Sequence, residues 1–155
     1  MIKLNRMTDY AVVVMAQMAM RPDADMTAAQ IARDTGMPLP SVAKLMTALA
    51  RGGLAESHRG VAGGYRLARP AEEISVAEII TALEGPIALT ACVDGALEIC
   101  DVESLCPMRG NWDKVNRAIR QALQEVTLAD MKPEPMAPWA PPGAASAEHR
   151  AGPAS

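Results

Sequence analysis

Phenylalanine is absent from the 155 residues, and aromatic side chains make up only 3% of them. Any core must be filled by aliphatic residues and by methionine, of which there are 11. Met15, Met18, Met20 and Met46 fall in apolar helical stretches. There a flexible thioether fills gaps that rings would otherwise fill. No apolar run approaches the ~18 residues that a membrane span needs. Lys3 and Arg6 before Ala11–Met20 mimic a signal peptide, but Asp9 and Gln17 interrupt the segment and no small-x-small cleavage site follows. Enzyme signatures are missing too: no paired acid–base set, no nucleophile motif, no phosphate loop with its lysine. Gly60–Gly64 lies in a hairpin rather than between a strand and a helix. An enzyme is therefore not expected. Cysteine is confined to three residues, and an odd number cannot all pair within the chain. A reducing cytoplasm is the expected compartment.

What is present is unevenly distributed. Residues 1–70 hold nine Lys/Arg against five Asp/Glu, while residues 71–155 hold six against thirteen. Only the first half suits a polyanion. Three regions are expected: a winged helix-turn-helix DNA-binding region over 1–70, a cysteine loop and dimerisation helix over 71–131, and a disordered Pro/Ala-rich tail over 132–155. The last holds six prolines.

Thr8 is a fitting N-cap for a helix to about Met20, with Asp9 in its first turn. That helix is apolar nearly all round, as a helix buried between subunits would be. Thr27-Ala-Ala-Gln30 is a capping box opening a short helix that stops at Gly36. Ala32 allows close helix approach and Gly36 supplies a left-handed corner, the pattern of a helix-turn-helix. The next helix runs over about Pro40–Arg51, with Val42, Leu45, Met46 and Leu49 inward. Ser41, Lys44 and Thr47 fall on the other side, as the reading residues of a recognition helix do. Strands over Leu54–Ser57 and Tyr65–Ala68 flank a glycine-rich turn, forming a basic wing with His58, Arg59, Gly63, Gly64, Tyr65 and Arg66. Arg59 suits a narrow, negative minor groove. Lys44 and Arg66 suit phosphates or base edges. Ser75-x-x-Glu78 is a second capping box, for a helix to about Glu84. From Asn111 to about Val126, Trp112, Val115, Ile119, Ala122 and Val126 form a two-heptad seam, the pattern of a dimer interface. A two-fold dimer would read a palindromic double-stranded operator, one recognition helix per half-site. The fold class is mainly α: a winged helix-turn-helix with a C-terminal dimerisation helix and a cysteine-bearing cluster loop.

That loop holds Cys92, Cys100 and Cys106 at C-x7-C-x5-C spacing. Three thiolates close together make a soft-metal site wanting a fourth ligand. Structural zinc sites use paired C-x2-4-C spacings, absent here. An iron–sulfur cluster, a thiol switch with one reactive and one resolving cysteine, and zinc remain open on spacing alone.

Leu4-Asn-Arg-Met-Thr-Asp9-Tyr-Ala, Ala32-x-x-x-Gly36, the wing Arg59-Gly-Val-Ala-Gly-Gly-Tyr-Arg-Leu-Ala68, the three cysteines and Trp112 together resemble the Rrf-two family of bacterial winged-helix regulators, the IscR/NsrR/RirA group. The likeness covers roughly residues 1–131 and is greatest to regulators of SUF-type iron–sulfur cluster assembly. It implies a cytoplasmic homodimer repressing cluster-assembly genes in response to cluster or iron status. It also implies a [2Fe-2S] or [4Fe-4S] cluster on Cys92, Cys100 and Cys106, and a wing arginine, here Arg59, in the minor groove. A family histidine that ligates after the third cysteine is replaced by Arg109, which cannot ligate. The family's other solution, an aspartate from the partner's first helix, matches Asp9. The alternatives are a nitric-oxide- or iron-responsive repressor of other genes, and a metal-free thiol-switch regulator.

Overall fold

The architecture is that of a computed structural model, which describes residues 3–97, 106–108 and 110–133. Cys100, Arg109 and nearly all of the expected tail lie outside the described residues. The elements run α1 (Arg6–Ala19), α2 (Ala28–Thr35), α3 (Leu39–Arg51), β1 (Ala55–His58), β2 (Gly64–Leu67), a 3-10 turn (Ala71–Glu73), α4 (Val76–Glu84) and α5 (Asn111–Glu125).

Both capping boxes form. Thr27 accepts from Gln30 N–H at 3.1 Å while the Gln30 side chain accepts from Thr27 N–H at 2.8 Å. Ser75 and Glu78 repeat the exchange at the head of α4. The start of α1 differs from the expectation at Thr8. Asn5 is the cap, accepting from Met7 N–H at 3.0 Å, so Thr8 lies within the first turn. The Thr8 side chain is fully buried and donates its hydroxyl to Glu84, which also accepts from Asn5 N–H at 2.9 Å. A capping residue would have kept Thr8 at the surface; a long-range acceptor draws it inside. Met20 also differs. It is the α1 C-cap and 55% exposed, whereas Met15, Met18 and Met46 are buried.

Gly36, at φ 71°, closes α2 in the left-handed region, and α2 packs on α3 and α1. Val42, Leu45, Met46 and Leu49 are fully buried, the i, i+3, i+4, i+7 stripe of an amphipathic helix. They meet Val14, Met15, Ile31, Leu54, Ile74, Ile79 and Leu128 in one core. The wing pairs antiparallel in the register Ala55↔Leu67 to His58↔Gly64, each strand one residue from its expected span. Beyond β2, Tyr65 and Met26 exchange backbone hydrogen bonds at 2.8 and 2.9 Å. β2 is thus held on both edges, and Gly64 permits it: a Cβ there would stand 2.8 Å from the Met26 backbone. Gly64→Ala should force β2 off Met26 and cost roughly 1–3 kcal/mol, as overpacking does. An unchanged urea midpoint would refute this.

After α5 the chain returns to the body. Val76 N–H donates to Val126 at 2.9 Å, and Leu128 N–H to Ile74 at 2.7 Å. Part of the α5 seam is left open to solvent. Trp112, Val115 and Val126 are 42%, 44% and 38% exposed. Among the described residues no helix is long and apolar enough to cross a membrane.

Candidate DNA-binding face and thiol loop

The two prolines at the head of α3 fix where its outward stripe begins. Pro38 is the N-cap residue without a side-chain cap bond, and Pro40 lies in the first turn, where its missing N–H costs nothing. With the inward stripe buried, Ser41 is half-buried while Lys44 and Thr47 are exposed. The Thr47 hydroxyl donates to Ala43 at 3.0 Å, leaving its oxygen free to accept. β1 packs on α3, which sets the wing beside the helix.

In the wing, Arg59 follows β1 directly and is exposed. The other two polar residues assigned to the wing have a partner inside the chain. Asp25, in the loop before α2, accepts from Arg66 Nε at 2.9 Å and meets His58 Nδ1 at 3.1 Å, both through Oδ1. Glu56 stands 3.9 Å from the other His58 nitrogen. One carboxylate therefore ties both strands to the α1–α2 loop. Gly63 and Gly64 serve the backbone; a Cβ at Gly63 would lie 2.5 Å from the His58 carbonyl. Tyr65 is half-buried against the core.

Partial burial pushes the Asp25 carboxyl up, but the bonds from Arg66 and His58 and their charges outweigh it and hold it below the ordinary value. A carboxyl depressed in the folded state stabilises above its unfolded value of about 3.9 and loses that contribution as pH falls through the folded value. Asp130, held down by Thr127, titrates in the same sense. Wing order should therefore weaken below about pH 4. Asp25→Asn should flatten the acid limb of the urea midpoint against pH; an identical limb would refute the tie.

The thiol loop leaves α4 through Gly85, at φ 85°, and Pro86. Its first leg is fastened to α5. Asn116, 3% exposed, donates Nδ2 to the Ile87 carbonyl at 3.1 Å and accepts from Leu89 N–H at 3.1 Å. Asp113 accepts from Asp94 N–H at 3.1 Å. Between these bonds sits Cys92, half-buried, its sulfur 3.2 Å from the Thr90 hydroxyl oxygen. Cys106 is likewise half-buried and outside any disulfide. Two half-buried thiols outside any disulfide are of the donor type a thiolate-ligated cluster needs. Among the described residues no three His, Cys, Asp or Glu side chains converge as a metal site. Asp9 of the same chain therefore does not complete one with Cys92 and Cys106. Asp9 is exposed beside a recess of about 940 Å³, which Arg6 and Glu84 also line. Sequence reasoning missed Asn116, Asp113, Glu84 and Asp25. Only Asp113 and Asn116 left a signal, two short polar acceptors three apart at the head of a helix.

A helix-turn-helix followed by a two-stranded wing, with α5 packed on α4 beyond it, is the architecture of the winged-helix class of DNA-binding proteins. The family model described as Rrf2, iron-dependent transcriptional regulator, matches residues 4–134, and the chain belongs to that family. It is 31% identical over 135 residues to Rv1287 of Mycobacterium tuberculosis H37Rv, named as an HTH-type transcriptional regulator, covering 83% of this chain and 80% of the relative. Among solved structures it is similar to CymR of B. subtilis, the global cysteine regulator, at TM-score 0.68 and 27% identity over 85% of this chain and 97% of that one. It is similar also to T. potens IscR, at TM-score 0.62 and 30% identity over 84% and 85%. The chain is thus a transcriptional regulator.

Proposed function

We propose that the protein is a homodimeric, cytoplasmic repressor that holds an iron–sulfur cluster and regulates iron–sulfur cluster assembly genes. The observation that carries this reading is the thiol loop itself: Cys92 and Cys106 half-buried and unpaired, the first bracketed against the helix with the exposed apolar seam. Cys92, Cys100 and Cys106 would hold the cluster, with Asp9 of the partner subunit as fourth ligand. A bound cluster supplies a bond set that responds to iron, oxidant or nitric oxide. Ligated together, the three cysteines would tie residues 92–106 into one body against α5; without a cluster, the bonds from Asn116 and Asp113 to residues 87–94 are what hold the first leg of the loop there. The seam residues join two copies. Lys44, Thr47 and Ser41 then enter successive major grooves, Arg59 reaches the minor groove, and Arg66 and His58 hold the wing to Asp25. A coupling of about 1–3 kcal/mol between thiol state and operator would change affinity roughly 5- to 150-fold.

Anaerobic purification decides the cluster reading. Wild-type protein should be coloured and contain iron and sulfide, and Cys92→Ser or Cys106→Ser should lose both. Colourless wild type after reconstitution overturns it. The likeness to a global cysteine regulator favours one second reading, a metal-free thiol switch. Oxidant-dependent operator release by metal-free protein, absent in Cys92→Ala, would select that one.

A further inference from the structure

Thr8 and Asn116 are the buried polar side chains among the described residues. Thr8 joins α1 to α4; Asn116 joins the thiol loop to α5. We infer that Asn116, with Asp113, is the positioning element through which the state of the thiols reaches the dimerisation helix. This rests on the proposed function only in requiring a thiol loop with two states. Both ends of the Asn116 amide are used, on backbone groups two residues apart, at 3.1 Å each. A two-point bond fixes the direction of residues 87–89 as well as their distance from α5. Asp113, three residues earlier on the helix, fixes Asp94. Val93, next to Cys92, is buried, 5% exposed. Cys92 lies between the fixed points, so it cannot move far relative to α5 without unmaking a buried amide pair, which is expensive.

A rigid route continues from α5. Its far end is zipped to residues 74–76 by the Val126 and Leu128 backbone bonds. Residues 75–76 open α4, which packs on α3. The approach there is close: a Cβ on Gly52 would fall 2.7 Å from that of Ala82. A displacement of the loop leg is thereby presented to the recognition helix through packed elements. Such a route becomes coupling only when both ends are seen to respond.

The test uses the full chain as wild type and as Asn116→Ala, Asp113→Ala and Asp113→Asn. The first readout is the alkylation rate of Cys92 by iodoacetamide in reduced, metal-free protein, followed by mass spectrometry. Asn116→Ala and Asp113→Ala should raise it about tenfold by releasing a locally protected segment. Asp113→Asn keeps the acceptor for Asp94 N–H and should stay near the wild-type rate. The second readout is the ratio of operator affinities between protein reconstituted with iron and sulfide and metal-free protein. The two alanine variants should bring a ratio of roughly 5- to 150-fold in wild type towards one, and Asp113→Asn should restore it. A merely structural amide would alter stability but leave the ratio intact, and an intact ratio in both alanine variants overturns the inference. If Asn116→Ala does not fold, the Asp113 pair, at the helix surface, decides the matter. If wild type takes up no iron or sulfide, the cluster reading falls, and the same ratio taken between reduced and diamide-oxidised protein still decides the role of Asn116.

Discussion

Arg59→Ala should weaken operator binding about 5- to 150-fold, the value of one good groove interaction. Its folding stability should not change. Arg59 is exposed, comes directly after the last wing pair, His58↔Gly64, and makes no side-chain hydrogen bond among the described residues. Its position depends instead on Asp25, which ties His58 and Arg66, and on the backbone bridge from Tyr65 to Met26. A narrow minor groove concentrates negative potential and attracts an arginine delivered to it. Removing a cation from a phosphate also makes binding less sensitive to salt, by about one in the logarithmic slope. The variant that separates these contributions is Lys44→Ala, on α3. If Lys44 meets a phosphate, its removal should weaken all sequences alike, whereas removal of Arg59 should weaken A·T-rich flanks most. Gel shifts or fluorescence anisotropy at two salt concentrations would measure both. Unchanged affinity in Arg59→Ala, on an operator that the wild type binds, would remove the wing from the interface.

The parts of the fold legible in the chain are those whose causes lie within a few residues. Thr27 and Gln30, or Ser75 and Glu78, satisfy each other's backbone groups, so the pattern and the bonds coincide. Gly36 and the α3 stripe are local in the same sense. Thr8 misled because its sequence context is that of a cap, while its true partner, Glu84, lies 76 residues away. Met20 misled for a similar reason: composition shows an apolar residue, and only the end of α1 shows that it faces water.

The site divides along the same line. The outward set Ser41, Lys44, Thr47 and Arg59 follows from helix period and strand register. Asp25 does not, since it joins His58 and Arg66 across 33 and 41 residues. Asn116 was harder still. On a helix otherwise outlined by its apolar seam and charged exterior, a buried asparagine reads like any other polar position until residues 87–89 arrive against it. Cys92 and Cys106 are half-buried, while Cys100 lies outside the described residues. Cysteine spacing singles out the loop, and only tertiary bonds show what its first leg is fastened to.

Leu128→Ala should be strongly destabilising although it lies outside the DNA-binding half. Leu128 is fully buried, in the same core as Leu49, Ile74 and Ile79, although it follows α5. Truncating a buried leucine to alanine removes its transfer energy and leaves a cavity, together about 2–5 kcal/mol. A domain of this size is stable by only about 5–15 kcal/mol. The consequence is also directional. Leu128 sits in the return segment whose backbone pairs with Ile74, and Val126 two residues earlier pairs with Val76. These bonds fix the end of α5 to α4. Loss of the side chain should therefore lower the urea midpoint and loosen α5 before α3. Hydrogen exchange should show protection falling first at Leu128 and Val76 amides, then along α5, with the amides of Leu45 and Leu49 retained longest. Uniform loss of protection across all helices would mean that α5 and the winged helix unfold as one cooperative unit. The return segment would then add to the stability of the whole domain and not to that of α5 alone.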